Sequence, residues 1–295
     1  MMLRDMSRGR VLVLILAAST FVIAVGNAKT SSSGMLFLRG GAFRMGTNHG
    51  FPYEEPAHYV RISSFWMDTF LVTNQQFATF VAVTGYVTEA EKFGWSGVFI
   101  PAQHQWVSVA GAEWRHPEGP ESTLTGRSKF PVLDVSWRDA GAYCGWTKKR
   151  LPTEAEWEFA ARGGLDGATY SWGNELTPHG KHLANVWQGN FPAEDDGKDG
   201  FRYVSPIGSF PPNGYGLYDM TGNVWEWTAD WFSEDYYRFS NGTTDPAGPA
   251  YGSEKVIRGG SWLCSANYCT GYRVAARQKT APDSGLNNLG FRCAR

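Results

Sequence analysis

No segment of this chain beyond residue 34 holds a helical or a strand period for more than about a dozen residues, and that restricts the folds open to it more than any other feature. Helical bundles and repeat arrays need such runs. In their place stand 35 glycines, 13 tryptophans, 13 tyrosines and 18 phenylalanines, which read as a compact body with rings in the core and many turns. A chain of 295 residues can bury a sizeable core in one large domain or two small ones. Residues 35–295 show no linker, charge block, low-complexity tract or repeat, and so read as one loop-rich domain of the α+β class with little regular secondary structure.

Local signals place a few elements. Ala57-His58-Tyr59-Val60-Arg61-Ile62 alternates as a strand does. Phe77, Phe80 and Val81 fall at helical spacing within residues 73–83, with Thr73 or Asn74 available as a cap. A second helix is predicted over 136–146. A third, over 153–161, opens on Thr153 with Glu156 three residues on, the pattern of a capping box. Pro211-Pro212-Asn213-Gly214 reads as a turn.

The first residues carry an export pattern. Arg4, Arg8 and Arg10 precede an apolar run over 11–25, and Gly26 and Ala28 supply the small-x-small motif of a cleavage site. Residues 1–28 therefore read as a signal peptide and 29–34 as a polar leader. The run is short for a membrane span and no second one follows, so no stable membrane association is expected. Export would deliver the chain to the endoplasmic reticulum lumen of a eukaryote, or to the periplasm or medium of a bacterium. A formal charge of −1 gives no electrostatic reason for a nucleic-acid partner. Asn241-Gly242-Thr243 is the single N-glycosylation acceptor pattern. Cys144, Cys264, Cys269 and Cys293 all follow the leader, where an oxidising compartment permits disulfides, and four cysteines allow three pairings.

Chemistry concentrates in Arg258-Gly259-Gly260-Ser261-Trp262-Leu263-Cys264-Ser265-Ala266-Asn267-Tyr268-Cys269. Two thiols five positions apart can close a disulfide, hold a soft ion such as Cu(I), or act as a redox pair. A structural zinc would want four protein ligands, and no CxxC or HxxxH pair accompanies these two. Gly259-Gly260 permits a close backbone approach just before the cysteines. Tyr272, Arg273 and Arg277 come next, and Asn287-Asn288-Leu289-Gly290-Phe291-Arg292-Cys293 follows.

Taken together, residues 258–293 resemble the signature of the formylglycine-generating enzymes, the sulfatase-modifying factors. The resemblance extends back to Gly40-Gly41-Ala42-Phe43-Arg44-Met45-Gly46 through Arg150-Leu151-Pro152-Thr153-Glu154-Ala155-Glu156-Trp157-Glu158 and Gly222-Asn223-Val224-Trp225-Glu226-Trp227. It implies a formylglycine-generating-enzyme, C-type-lectin-like fold. It also implies a copper-dependent oxidase that converts the cysteine of a Cys-x-Pro-x-Arg motif, in an unfolded sulfatase polypeptide, to Cα-formylglycine with O2 and a thiol reductant. On this resemblance Cys264 and Cys269 hold Cu(I), while Ser261, Trp225, Tyr268 and Asn288 line the site. Cys144 pairs with Cys293. A second disulfide of vertebrate members is absent, because Ala161 and Val274 stand at its places. Two calcium ions are implied, one on Asn185, Val186, Asp199 and Phe201, the other on Asp219, Gly222, Val224 and Glu226. Read without the family, residues 194–199 are a solvated acidic turn.

The expected client contacts are Trp95, Ser96 and Trp106, the last on a loop over 101–109 that, by the resemblance, is shorter than in most members. Relatives place acidic groups near the client arginine, where this chain has Leu71 and Trp95, so a cation–π contact on Trp95 is the remaining attraction. One competing function is a non-catalytic sulfatase-binding paralogue. The resemblance sets it aside, since the inactive paralogue lacks the cysteine pair. A second is the iron-dependent sulfoxide synthases of the same superfamily, which need a His-x3-His-x-Glu motif that none of the six histidines forms.

Overall fold

A computed structural model describes residues 34–295; the predicted signal peptide, and the leader as far as residue 33, lie outside the described residues. Among the described residues ten short strands and five α-helices are joined by long stretches of turn. In chain order they are β1 (Met35–Leu38), β2 (Gly41–Met45), β3 (His58–Ile62), β4 (Phe65–Asp68), α1 (Asn74–Thr84), α2 (Glu89–Phe93), β5 (Trp95–Ile100), β6 (Gln105–Ala110), α3 (Trp137–Trp146), α4 (Glu154–Arg162), β7 (Trp225–Trp231), α5 (Tyr236–Phe239), β8 (Lys255–Arg258), β9 (Arg277–Thr280) and β10 (Leu289–Gly290). The class is α+β. No described helix is long and apolar enough to cross a membrane.

The first four helices start in one way. Thr73, Thr88, Ser136 and Thr153 cap them, each side chain accepting from the third helical N–H while Gln76, Glu91, Asp139 and Glu156 reach back to the cap N–H. Of the two caps offered for α1, Thr73 is the one used. Gly85, Gly94 and Gly163 end α1, α2 and α4 in the left-handed region, at φ 67°, 74° and 57°. The loop expected over 101–109 is a correction: β5 and β6 pair antiparallel as a hairpin from Trp95↔Ala110 to Ile100↔Gln105, and only residues 101–104 turn. Tryptophan, valine and phenylalanine in those strands favour the pleated state over a loop.

Three apolar clusters fill the body. Trp225, Trp227, Phe77, Phe80, Tyr143 and Phe291 form one, with Cys144 and Cys293 inside it. α4 lays Trp157 and Phe159 against β1–β4 in the second, and Phe99, Trp187 and Trp262 anchor the third. The central sheet runs β10-β7-β8-β9, parallel between β10 and β7 and antiparallel elsewhere.

A buried ion network fixes the cysteine segment to α4. Arg258 stands just before that segment and Arg277 after it, and both are essentially unexposed. Arg258 donates to Glu158 at 2.5 Å and to Glu154 at 3.0 Å, and Arg277 forks onto Glu154 at 2.7 and 2.8 Å. Arg162 donates a further bond to Glu158 at 2.6 Å. Charges this deep persist only when paired and fully hydrogen-bonded, so the network ties both ends of the segment to one helix.

Candidate active site

Both ends of the cysteine segment are set by glycine. Gly260 has φ +72°, and a side chain there would strike the main chain of Gly271 and Tyr272. Gly271 lies flat under the Trp225 ring, where a Cβ would collide with the indole. Between them the chain makes two tight turns, Cys264 N donating to Ser261 O at 2.9 Å and Cys269 N to Ser265 O at 3.1 Å. Cys264 and Cys269 thus come to a Cα separation of 4.6 Å, and their sulfurs are joined as a disulfide.

A cleft of about 360 Å³ opens onto this pair, and Ser261, Trp225, Tyr268, Asn288 and Trp106 all line it. The two cysteines differ in access. Cys264 is 1% exposed and belongs to the core, whereas Cys269 is only partly buried at the cleft wall. Asn288 Nδ2 donates to Ser261 Oγ at 3.1 Å, which fixes the amide. Its Oδ1 is buried without a partner, an acceptor held ready at the cleft floor. Tyr268, 57% exposed, stacks on Phe191 at 4.1 Å between centroids and forms a rim with Trp106.

The other expected client contacts lie elsewhere. Trp95 is half exposed in an adjoining cleft, with Phe93, Ala90 and Asp283, and Leu286 lines both clefts. Ser96 is 1% exposed and donates its hydroxyl to Asp134 at 2.7 Å, so it offers no free hydroxyl to a client. Complete burial pushes the Asp134 carboxyl well above the usual range. Leu71 sits in the third apolar cluster and lines neither cleft. Glu89 and Glu91 are paired with Arg138 and Arg115, both at 2.7 Å. Asp283 carries the one carboxylate in the Trp95 cleft, which the sequence reading missed; its only signal is the turn Pro282-Asp283-Ser284-Gly285.

At the first proposed calcium place, Asp199 accepts from Val186 N at 3.0 Å and from Phe201 N at 2.9 Å. The Gln188 amide N–H2 is crowded between Val186 O and Asp199 Oδ2, so a donor fills the point where these oxygens converge. Asn185 belongs to the same turn and donates to Tyr203 O at 2.8 Å. At the second, Asp219 accepts from Gly208 N at 2.8 Å and burial lifts its carboxyl to about 6. Both oxygens of Glu226 accept from Arg292, at 2.7 and 2.8 Å, and each keeps a second lone pair. Gly222 packs directly on Asn185 O, so the two places abut. Among the described residues no three His, Cys, Asp or Glu side chains converge on one point, and carbonyls would have to supply much of either ligand set.

The fold and the cleft define a class: a glycine-turned α+β domain that presents a cysteine pair, one thiol position buried and one open, at the base of an aromatic-rimmed cleft. The sulfatase-modifying factor enzyme 1-like domain matches residues 21–295. The chain belongs to this family, that of the formylglycine-generating enzymes. It is 52% identical over 283 residues to the formylglycine-generating enzyme of Thermomonospora curvata, covering 89% of this chain and 93% of the relative. It is 47% identical to the inactive C-alpha-formylglycine-generating enzyme 2 of Mus musculus, covering 88% and 85%. Among solved structures, PvdO from Pseudomonas aeruginosa superimposes with a TM-score of 0.68 at 27% identity, covering 88% of this chain and 93% of that one.

Proposed function

We propose that this chain converts a cysteine of a client sulfatase polypeptide to Cα-formylglycine. The observation that carries the proposal is the cysteine pair at the floor of an open cleft. A relative at 47% identity is named inactive, so overall likeness does not decide activity, and the proposal rests instead on the two thiol positions. In the reaction the client C–S bond breaks and a C=O bond forms. The client thiol, O2, two electrons and two protons give the aldehyde, hydrogen sulfide and water, and two equivalents of a thiol reductant supply the electrons and protons by closing a disulfide.

Copper is the cofactor we infer. When reduced, Cys264 and Cys269 are two thiolates with no third cysteine or histidine beside them in the cleft lining, a donor set that suits two-coordinate Cu(I). Such an ion supplies the one-electron chemistry with O2 that amino-acid side chains cannot. The protein's own residues bind and orient. Cys264 is immobilised in the core, and Cys269 faces the client. Asn288 Oδ1 is placed to accept from the client thiol or an adjacent N–H, and Ser261 holds that amide in its rotamer. Trp225, packed on Gly271, closes the floor against water. Calcium, at the first place only with the Gln188 amide displaced, would brace the turns at 185–201 and 219–226. The Cys144–Cys293 disulfide supports residence in an oxidising compartment, the endoplasmic reticulum lumen or the periplasm.

The test is direct. The purified protein is incubated with Cu(I), a thiol reductant, O2 and a peptide bearing Cys-x-Pro-x-Arg, and the product is read by mass spectrometry. Aldehyde formation that needs both O2 and reductant is expected; an unaltered peptide overturns the proposal.

A further inference from the structure

The cleft that holds Cys264 and Cys269 does not stop at them. Its far wall is β9, all four of whose residues line it. β9 is the outer strand of the central sheet, bonded on one side only, to β8. Which main-chain groups face outward follows from the register. Glu254 O accepts from Phe232 N at 2.8 Å and Val256 O from Thr228 Oγ1 at 3.0 Å, so these carbonyls point to the β7 side of β8. Main-chain direction alternates along a strand, so Lys255 and Ile257 turn to β9 and bond their partners Thr280 and Gln278. Arg277 and Lys279, opposite Arg258 and Val256, therefore direct N–H and C=O away from the sheet.

Among the described residues none of these four groups has a partner. The side chains of the same two residues are engaged elsewhere, Arg277 with Glu154 at 2.7 Å and Lys279 with Glu254 at 3.1 Å. Arg277 is itself only 1% exposed, so the bare main chain that reaches the cleft is that of Lys279. An unpaired strand edge is a template for another extended chain, and affinity there comes from alternate main-chain hydrogen bonds rather than side-chain identity.

We propose that the client backbone on the N-terminal side of its cysteine adds to β9 as a further strand while the thiol reaches Cys269. This rests on the formylglycine reading above. The occupant is an extended polypeptide because the edge continues the thiol cleft and offers, at Lys279, the donor and acceptor of one antiparallel strand pair. The upstream flank is assigned because the other direction leads past Trp106 and Leu286 toward the Trp95 cleft. A proline after the client cysteine would also bring no N–H to a ladder.

The experiment compares kcat/KM for a peptide that begins at the client cysteine with one extended by four upstream residues. The extension is expected to raise kcat/KM by about tenfold or more. N-methylation of the one upstream amide that pairs with Lys279 should cancel the gain, while methylation of the amides next to it, or alanine at each upstream position, should leave it. Lys279→Pro, which removes an outward N–H and no bond to β8, should shrink the ratio of long to short peptide within the same preparation. A ratio near one, or a gain that tracks upstream side chains instead of backbone N–H groups, overturns strand addition. Failure to convert even the short peptide would instead overturn the formylglycine reading.

Discussion

Cys264 and Cys269 share a chemistry but not a setting, one sealed in the core and the other open to the cleft. Replacing either with serine leaves a hydroxyl, a poor ligand for a soft ion, so Cys264→Ser and Cys269→Ser should each abolish aldehyde formation while the melting curve stays close to wild type. Near-normal turnover in either variant would sink the assignment. Asp230 makes a second residue-level prediction. Burial, then repulsion from Glu154, lifts its carboxyl to about 8. The unfolded chain gives up this proton near the ordinary carboxylate pKa of about 4, so the stability tied to it is full below that value and is lost as pH rises toward 8. Asp230→Asn keeps an acceptor for Glu154 N, now at 2.7 Å, and has no proton to lose. Its melting temperature should therefore fall less than that of wild type between pH 5 and pH 8. Identical slopes in thermal scans would remove Asp230 as the cause. The cleft residues from Trp225 to Asn288 were legible in sequence because their side chains sit in a motif. The outward edge of β9 was not, because a free main chain leaves no mark in residue identity.

The helices show what local sequence can and cannot declare. Thr153 and Glu156 announced α4, and the same reciprocal cap starts α1, α2 and α3. Five-residue α2 went unseen because it is too short to display a period, although Thr88 and Glu91 carry its box. Residues 101–109 were expected as a loop on the family resemblance, because the strands there declare themselves only by pairing with each other. Thr153→Ala should cost about 1 kcal/mol, the usual worth of an N-cap. The loss should be read as a lower denaturation midpoint with an unchanged slope. Activity is expected to fall with it only if α4 loosens its hold on Arg258 and Arg277, so a stability loss with kcat/KM intact would show that the ion network positions the site without help from the cap.

At the scale of the molecule, the Cys144–Cys293 bridge closes a loop of sequence separation 149, which composition could not foresee. Cys144→Ala should lower stability by roughly 2–5 kcal/mol while sparing the chemistry. Non-reducing peptide mapping checks the pairing, and a dominant Cys144–Cys264 link would contradict it. Chelation should lower the melting temperature too, since an ion bound only by the folded state stabilises it by mass action, and Asp199→Ala should blunt that response. An unchanged wild-type curve would dismiss both calcium places. The C-terminal residues also reach far back: Ala294 bridges Met67 and Arg150, β10 lies beside β7, and Asn288 and Leu286 complete the cleft. A ribosome releases these residues after every other part of the cleft, so the nascent chain carries Cys264 and Cys269 for some time without a finished pocket around them. Were the chain exported, the two thiols would in that interval be open to the oxidants and isomerases of an oxidising compartment, and the chain would need the same escort through oxidative folding as any client it met there.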